Sequence, residues 1–402
     1  MNLKSSYAGD LRRQTFSNGR ALKDDKSLAP DGYTVRVSRE RRDPEWDSFL
    51  ARCPGGHHEQ TSLWGEVKGC YGWEPFRVVV SRGNQILGGV QVLTRRFGRW
   101  LRIGYVMRGP SAVSNNPELI DFILEQLDQV AASEKLAYVI VVPPYNGHIF
   151  VPGLIRRGFR KKPNLLPPGT VMTATLLLDL SVDLDSLNAG IRRTTRKNIR
   201  RAGRGGMTVR EGTGADVETF RQLMWVLCER KGTSPTPPQK DFFENLWRVF
   251  EPSGFVKLFV AEFEGNVISA SMTFPFGDTV RAWKIGWAGD HAQMCPSVML
   301  CWEMIRWSKN NGYRVFDFVQ IEEDLARTMQ QGGPVDWNSV KGPDNFKVGF
   351  GGTPVVLPQP YYRFYHPILR IFVQAGGSKL MDSPAVARIL RRFWSGLAAS
   401  DE

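Results

Sequence analysis

Apolar and polar positions along the first part of the chain follow two different rhythms. From Pro117 to Leu136, the residues Leu119, Ile120, Ile123, Leu124, Leu127, Val130 and Ala131 fall at i, i+3, i+4, i+7 spacing, which predicts an amphipathic helix. Ahead of it, FRVVVS, ILGGVQVLTR and WLRIGYVMRG read as three strands separated by the turn-prone Arg82-Gly83-Asn84 and Phe97-Gly98, hence a meander. A strand beginning at Tyr33, a short amphipathic helix around Pro44 to Cys53 and a second helix from Ser62 to Tyr71 precede the meander. The buried-strand run AYVIVV, a short helix in FVPGLIRRGF and a strongly apolar strand from Thr173 to Leu180 follow it.

The same succession then starts again. A basic helix from about Leu187 to Arg204 and the strand MTVRE lead to helices from Ala215 to Lys231 and from about Lys240 to Phe250, either side of the Pro-rich SPTPPQ. Three strands recur (FVKLFVAEFE, NVISASMTFPF, TVRAWKIGWA), then a helix from Pro296 to Asn310 and the strand YRVFDFV. Helix, helix, three-strand meander, helix, strand therefore appears twice, which predicts two equivalent α/β (α+β) halves, each a mixed twisted sheet flanked by helices. One large irregular α/β domain is the competing arrangement. Boundaries are expected at 32–172 for the first domain, completed by 354–402, and at 173–353 for the second. The C-terminal YYRFYHPILRIFV and PAVARILRRFW are expected to pack back on the first half, since a helix this short is marginal without a docking surface. A membrane-surface role for Arg388, Arg391, Arg392, Phe393 and Trp394 is the other reading of that segment.

A chain of 402 residues has room for two such domains. With 42% hydrophobic and 23% charged residues and no apolar run near the roughly 20 residues that span a bilayer, it reads as a cytoplasmic globular protein, with peripheral contact at the inner membrane face left open. Residues 1–31 lack the apolar core of a secretory signal and read as a disordered leader. Five scattered cysteines without a C-x-x-C pair point to a reducing compartment and no structural zinc. The formal net charge of +13 favours polyanionic partners without choosing among nucleic acid, anionic lipid and nucleotide diphosphates.

The common catalytic signatures are absent: no G-x-S-x-G, no G-x-x-x-x-G-K-[ST], no H-E-x-x-H and no G-x-G-x-x-G after a strand. His57-His58-Glu59 is the only local histidine cluster, and adjacent side chains cannot chelate one ion together, so it reads as a surface or N-cap element. Acyl transfer to an amine dispenses with these devices when the donor is already an ester or thioester. The amine is the nucleophile, and alignment alone is worth roughly 7–11 kcal/mol, with a cation or backbone donor at the oxyanion supplying more.

Five blocks, in order, carry a family resemblance: Gln60-Thr61-Ser62-Leu63-Trp64-Gly65-Glu66-Val67-Lys68; Met107-Arg108-Gly109-Pro110; Thr173 to Leu180 with the basic IRRTTRKNIRRAGRGG after it; LCWEMIRWSKNNGYRVFDFVQI; and Asn345-Phe346-Lys347-Val348-Gly349-Phe350-Gly351-Gly352. Together they resemble the FemABX family of aminoacyltransferases across nearly all of residues 33–357. That resemblance implies two tandem GNAT-like domains and transfer of an amino acid from aminoacyl-tRNA, as donor co-substrate, to an amine of a peptidoglycan-type or other envelope precursor. It implies no resident cofactor. By the same resemblance Lys347 sits in the active cleft and Lys68 contacts a substrate phosphate, with Trp64, Arg108, Trp287 and Phe346 as further substrate-binding positions. Asp317 is expected to orient the amine or accept its proton, or else to serve as a cap where a strand ends.

The sequence also departs from the family. The stretch Thr233 to Phe243 lacks the arginine and tyrosine that the cell-wall-precursor ligases place there, and Trp287 stands where a tyrosine is expected. Pro143-Pro144 stands where an aspartate is expected, and Val319-Gln320 replaces the usual glycine pair after the D-F dipeptide. In the basic helix, Arg192, Arg196, Arg200 and Arg204 recur every four residues, flanked by Arg193, Lys197 and Arg201 with no acidic neighbour. They predict a basic ridge for tRNA phosphate or pyrophosphate. Two other functions compete. An acyl-CoA-dependent N-acyltransferase on the same fold would need a Gly-rich pyrophosphate turn, and AGDHAQMCPS does not supply it. A nucleic-acid-binding protein would need exposed aromatics, whereas Trp283, Trp287, Trp302 and Trp307 fall inside predicted strands and a helix.

Overall fold

A computed structural model describes residues 32–97, 101–161 and 171–372; the expected leader and the PAVARILRRFW helix lie outside the described residues. In chain order the first half contains β1 (Tyr33–Ser38), α1 (Pro44–Arg52), α2 (Ser62–Gly69), β2 (Glu74–Arg82), β3 (Gln85–Phe97), β4 (Leu101–Met107), β5 (Ser111–Ala112), α3 (Pro117–Ser133), β6 (Tyr138–Val142) and α4 (Val151–Arg156). Asp43 and Asn116 accept backbone N–H groups at the starts of α1 and α3, each followed by a proline already fixed for the first turn. The buried side chains of α3 are Leu119, Ile120, Ile123, Leu124, Leu127 and Ala131, the stripe read from the sequence.

The second half contains β7 (Ala174–Asp179), α5 (Leu184–Gly190), α6 (Arg193–Arg204), β8 (Thr208–Glu211), α7 (Val217–Arg230), α8 (Phe242–Phe250), β9 (Lys257–Phe263), β10 (Asn266–Phe276), β11 (Thr279–Trp287), α9 (Pro296–Asn310) and β12 (Val315–Gln320). It ends with α10 (Glu323–Gln330), α11 (Gly342–Val348) and β13 (Thr353–Val356); β14 (Tyr361–Phe364) and α12 (Pro367–Phe372) come last.

Two seven-stranded sheets result, ordered β1-β2-β3-β4-β6-β14, with β5 on β3, and β13-β7-β12-β11-β10-β9-β8. Each carries an antiparallel meander followed by one parallel pair, β4 with β6 and β11 with β12. The doubled order expected from the sequence is present, and β14 returns to pair with β6. The return begins later than the expected 354, because β13 pairs with β7 in the second sheet. The basic helix is also two helices rather than one. Its backbone is extended at Ile191 and Arg192, where Arg192 N–H bonds to the Gly349 carbonyl.

One apolar core crosses between the halves. Leu63, Trp64 and Val67 of α2 pack with Phe242 and Phe250 of α8 and with Phe274 of β10. The second sheet is drawn against α7 at Gly286, where an added Cβ would come within 2.6 Å of the Met224 nitrogen. A register shift between Met272 and Thr273 leaves Trp283 as the extra residue on β11, and its ring meets Trp64, Phe242 and Phe274 in that shared core.

Candidate functional site

Polar groups from both halves converge beside this apolar seam. From the first half come His57, His58 and Glu59 in the turn before α2, Lys68 on α2, Arg108 after β4, and Tyr145 after β6. From the second come Thr175 on β7, Arg281 on β11 and Asp317 on β12. Strand register makes the second group inevitable: Arg281 is the last residue of β11 opposite β12, and its partner is Asp317.

Asp317 does not end a strand. It lies within β12 at 0% exposure, where its Oδ1 accepts from the Thr175 hydroxyl and, at 2.8 Å, from Val319 N–H, while Oδ2 accepts from the Tyr145 hydroxyl at 2.6 Å. The Val319 bond closes a tight turn that holds a β-branched residue at φ 54°, a left-handed conformation such side chains rarely adopt. Gln320 follows, and its carbonyl accepts a hydrogen bond from Lys347 Nζ. Asp317 thus ties the first half to the second and fixes the carbonyl that seats Lys347. With its carboxylate engaged in this way, a positioning role fits it better than proton acceptance from substrate.

Lys347 sits on α11, half-buried. Burial lowers its pKa, while Asp344 and Asp317 oppose the shift. Strands β11 and β12 pair only from Thr279 to Arg281 opposite Val315 to Asp317 and then part, and Lys347 stands where they diverge, within the electrostatic reach of Lys231 at the end of α7 and Cys301 of α9. A cleft of about 360 Å³ adjoins it, lined by Thr173, Gln320, Ile321, Glu322, Glu323 and Asp324. An ammonium has three N–H donors; with one on the Gln320 carbonyl, two can meet a developing oxyanion.

The Tyr145 ring lies under two guanidiniums, Arg108 at 5.3 Å and Arg281 at 5.4 Å from its centroid. Arg108 is 4% exposed and Arg281 5%. Among the buried side-chain atoms that have no hydrogen-bond partner among the described residues are Arg108 Nη1, Arg281 Nε and Nη1, His57 Nε2 and both ring nitrogens of His58. The two histidines are buried instead of forming a surface element, although His57 does cap the turn by accepting Glu59 N–H. Burial, and then the nearby arginines, hold both imidazoles well below their usual pKa. Glu59 is raised by burial, against the pull of Arg108, Lys68 and Arg281. Burial also brings Lys68 down to about 8, with its ammonium 5.8 Å from the Trp73 ring and 6.0 Å from Phe242.

The expected site residues therefore separate. Arg108 and Asp317 belong to the inter-half cluster; Lys68 adjoins it through Glu59, and Lys347 adjoins it through Asp317. Trp64, 3% exposed, is a packing residue of the seam. Phe346 packs on Phe350 at the edge of the second core. Trp287 is six residues beyond Arg281 on β11, about 20 Å along an extended strand; there it stacks under Arg230 and donates to the Asp290 carbonyl.

Of the expected basic residues, Arg192 and Arg196 are held by neighbours while Lys197, Arg200 and Arg204 stay exposed. Arg192 lies over Trp337 and donates to Asn345, and Arg196 donates to the Asn188 and Ala189 carbonyls at the end of α5. The exposed stripe is Arg193, Lys197, Arg200 and Arg204, four cations without an ion pair among the described residues.

Tyr145, Arg281, Thr175 and Glu59 were missed in the sequence. The available signals were a charged residue inside the apolar run TVRAW and a tyrosine directly after Pro143-Pro144.

Residues 39–150 match the FemAB family, and residues 189–327 match the Acetyltransferase (GNAT) domain. A Lipid II:glycine glycyltransferase of Staphylococcus aureus (strain MRSA252) is 26% identical over 228 residues, 55% of this chain and 53% of that protein. The match thus spans about half the length of that relative. The crystal structure of FemX superposes with a TM-score of 0.73 at 17% identity, covering 84% of this chain and 99% of that one. A conserved protein of unknown function from Bacteroides thetaiotaomicron VPI-5482 superposes with a TM-score of 0.50 at 9% identity, covering 82% and 99%. The FemAB match in the first half and the GNAT match in the second, on a duplicated fold like that of FemX, support the resemblance to the FemABX family.

Proposed function

We propose that this chain is an aminoacyltransferase that moves an amino acid from aminoacyl-tRNA to an amine of a peptidoglycan-type envelope precursor. The observation that carries the reading is Lys347, a half-buried amine held by the Gln320 carbonyl where β11 and β12 part, beside an open cleft. The name of the glycyltransferase relative supports an envelope precursor as acceptor. In the proposed reaction the acceptor amine attacks the ester carbonyl, a C–N bond forms and the ester C–O bond breaks. The proton of the amine leaves with the terminal ribose hydroxyl. Lys347 stabilises the oxyanion, and the cleft supplies alignment. The exposed stripe of α6 receives donor phosphates, and Lys68 with Arg108 serves the acceptor. Among the described residues no helix is long and apolar enough to cross a membrane, and we place the reaction at the cytoplasmic face of the membrane that carries the precursor.

The GNAT match over residues 189–327 favours one other reading, an acyl-CoA-dependent N-acyltransferase acting on an envelope or polysaccharide amine. Donor competition separates the two. When an amine-bearing muropeptide precursor is supplied with both a pool of charged tRNAs and labelled acetyl-CoA, the precursor is expected to gain an amino acid while acetyl-CoA persists. Acetylation of the precursor with charged tRNA untouched would replace the first reading with the second.

A further inference from the structure

We propose that Arg108 and Arg281 bind a carboxylate carried by the same molecule that supplies the acceptor amine. This rests on reading the cleft beside Lys347 as the acceptor site, and it adds the class of ligand and its orientation. Both guanidiniums are more than nine-tenths buried. Among the described residues Arg108 makes one hydrogen bond, to the Met172 carbonyl at 3.2 Å, and its Nη1 has no partner. Arg281 lies 3.7 Å from Asp317 Oδ2, beyond hydrogen-bond distance, and both its Nε and its Nη1 lack partners. Asp317 already accepts from Thr175, Tyr145 and Val319. It therefore neutralises part of the charge without satisfying the donors.

Charge points the same way. Arg108, Arg281 and Lys68 are three cations facing two carboxylates, Glu59 and Asp317, with His57 and His58 alongside. One anion would restore balance and engage the idle donors. Two planar guanidinium forks suit a planar carboxylate, which accepts paired N–H bonds. The cleft is the neighbouring opening: the Met172 carbonyl held by Arg108 precedes Thr173, and the strand of Asp317 runs on to Gln320, both of which line it, although neither arginine does. Of the cleft's charged lining, Glu322 pairs with Lys341 and Glu323 with Arg327, and Asp324, with no ion pair among the described residues, is the carboxylate left to attract an ammonium. An acceptor with both groups would thus place its carboxylate inward and its amine at the rim beside Lys347.

Calorimetric titration of the full chain without any donor tests this independently of the transfer reaction. The probes are a short alanine peptide with a free C-terminus, the same peptide as its C-terminal amide, and inorganic phosphate. The acid is expected to bind roughly 30-fold more tightly than the amide, and Arg108→Gln and Arg281→Gln are each expected to bring the acid down to the level of the amide. Should either variant fail to fold, the acid-to-amide ratio on the unaltered chain still decides. Equal binding of acid and amide, binding of neither, or displacement of the acid by phosphate at comparable concentration would overturn the proposal. A transfer assay that failed while the acid-to-amide ratio held would count against the donor reading alone.

Discussion

Lys68 shows what the seam does to a single residue. Its ammonium is brought down to about 8 by burial, against about 10.4 in an unfolded chain. Between those values the unfolded chain holds more protons at this position than the folded one, so the stability contributed by the group rises with pH across that window and is lost as pH falls through about 8. Replacing the charge by an apolar side chain of similar length should therefore help most where the parent is protonated. Lys68→Met is expected to melt above the parent near neutral pH, with a gap that narrows as pH climbs from about 8 towards 10 in a series of thermal melts. A gap independent of pH would show that Lys68 is not desolvated in the fold. The block Gln60 to Lys68 was recognisable in the sequence, but its residues divide between tasks the sequence could not separate. Gln60 is fully buried, accepts Gln91 N–H and donates to the Met107 carbonyl, and Trp64 fills the seam. A run of letters shows that these positions go together without showing that two of them face the core and one faces the site.

At the scale of elements, the long periodic segments were legible, and of the short ones several, but not all, were. The helix at α3 and the meanders announce themselves because their own side chains repeat at 3.6 or 2 residues. By contrast α10, α11, β13 and β14 have between four and eight residues each, and they take their conformation from partners far away in sequence, as β13 does from β7 and β14 from β6. Helix α6 shows a limit of spacing alone, which places cations along one side of a helix without showing which of them neighbours hold. Two of its arginines cap or brace neighbours, and the free charge is displaced to Arg193, Lys197, Arg200 and Arg204. Replacing those four by glutamine is expected to leave the melting temperature nearly unchanged and to flatten the dependence of tRNA affinity on salt, lowering the log–log slope by roughly 3. Arg196→Ala should do the reverse, lowering the melting temperature through the loss of its bonds to the α5 carbonyls. Salt titrations of tRNA binding that keep the same slope in the fourfold variant would remove α6 from the donor surface.

At the scale of the molecule, duplication yields two sheets, yet the halves are not independent bodies. Their shared core runs from α2 through α8 to β10, His58 stacks on Phe274 at 3.7 Å, and Tyr145 reaches across to Asp317. An interface of that apolar character couples unfolding of the two sides. Differential scanning calorimetry is expected to give one cooperative transition covering both halves; two resolved transitions would contradict a common core. The same coupling explains why the site lies where neither half could build it alone, with the cations of the first half set against the β11 and β12 divergence of the second.

The central claim is that Lys347, seated by the Gln320 carbonyl in that divergence, stabilises the transition state of aminoacyl transfer. Single-turnover transfer from charged tRNA to an amine-bearing muropeptide, comparing the parent with Lys347→Ala, tests it most directly. The account predicts a loss of about 100- to 1000-fold with a melting temperature close to that of the parent. Undiminished turnover in the folded variant would contradict it.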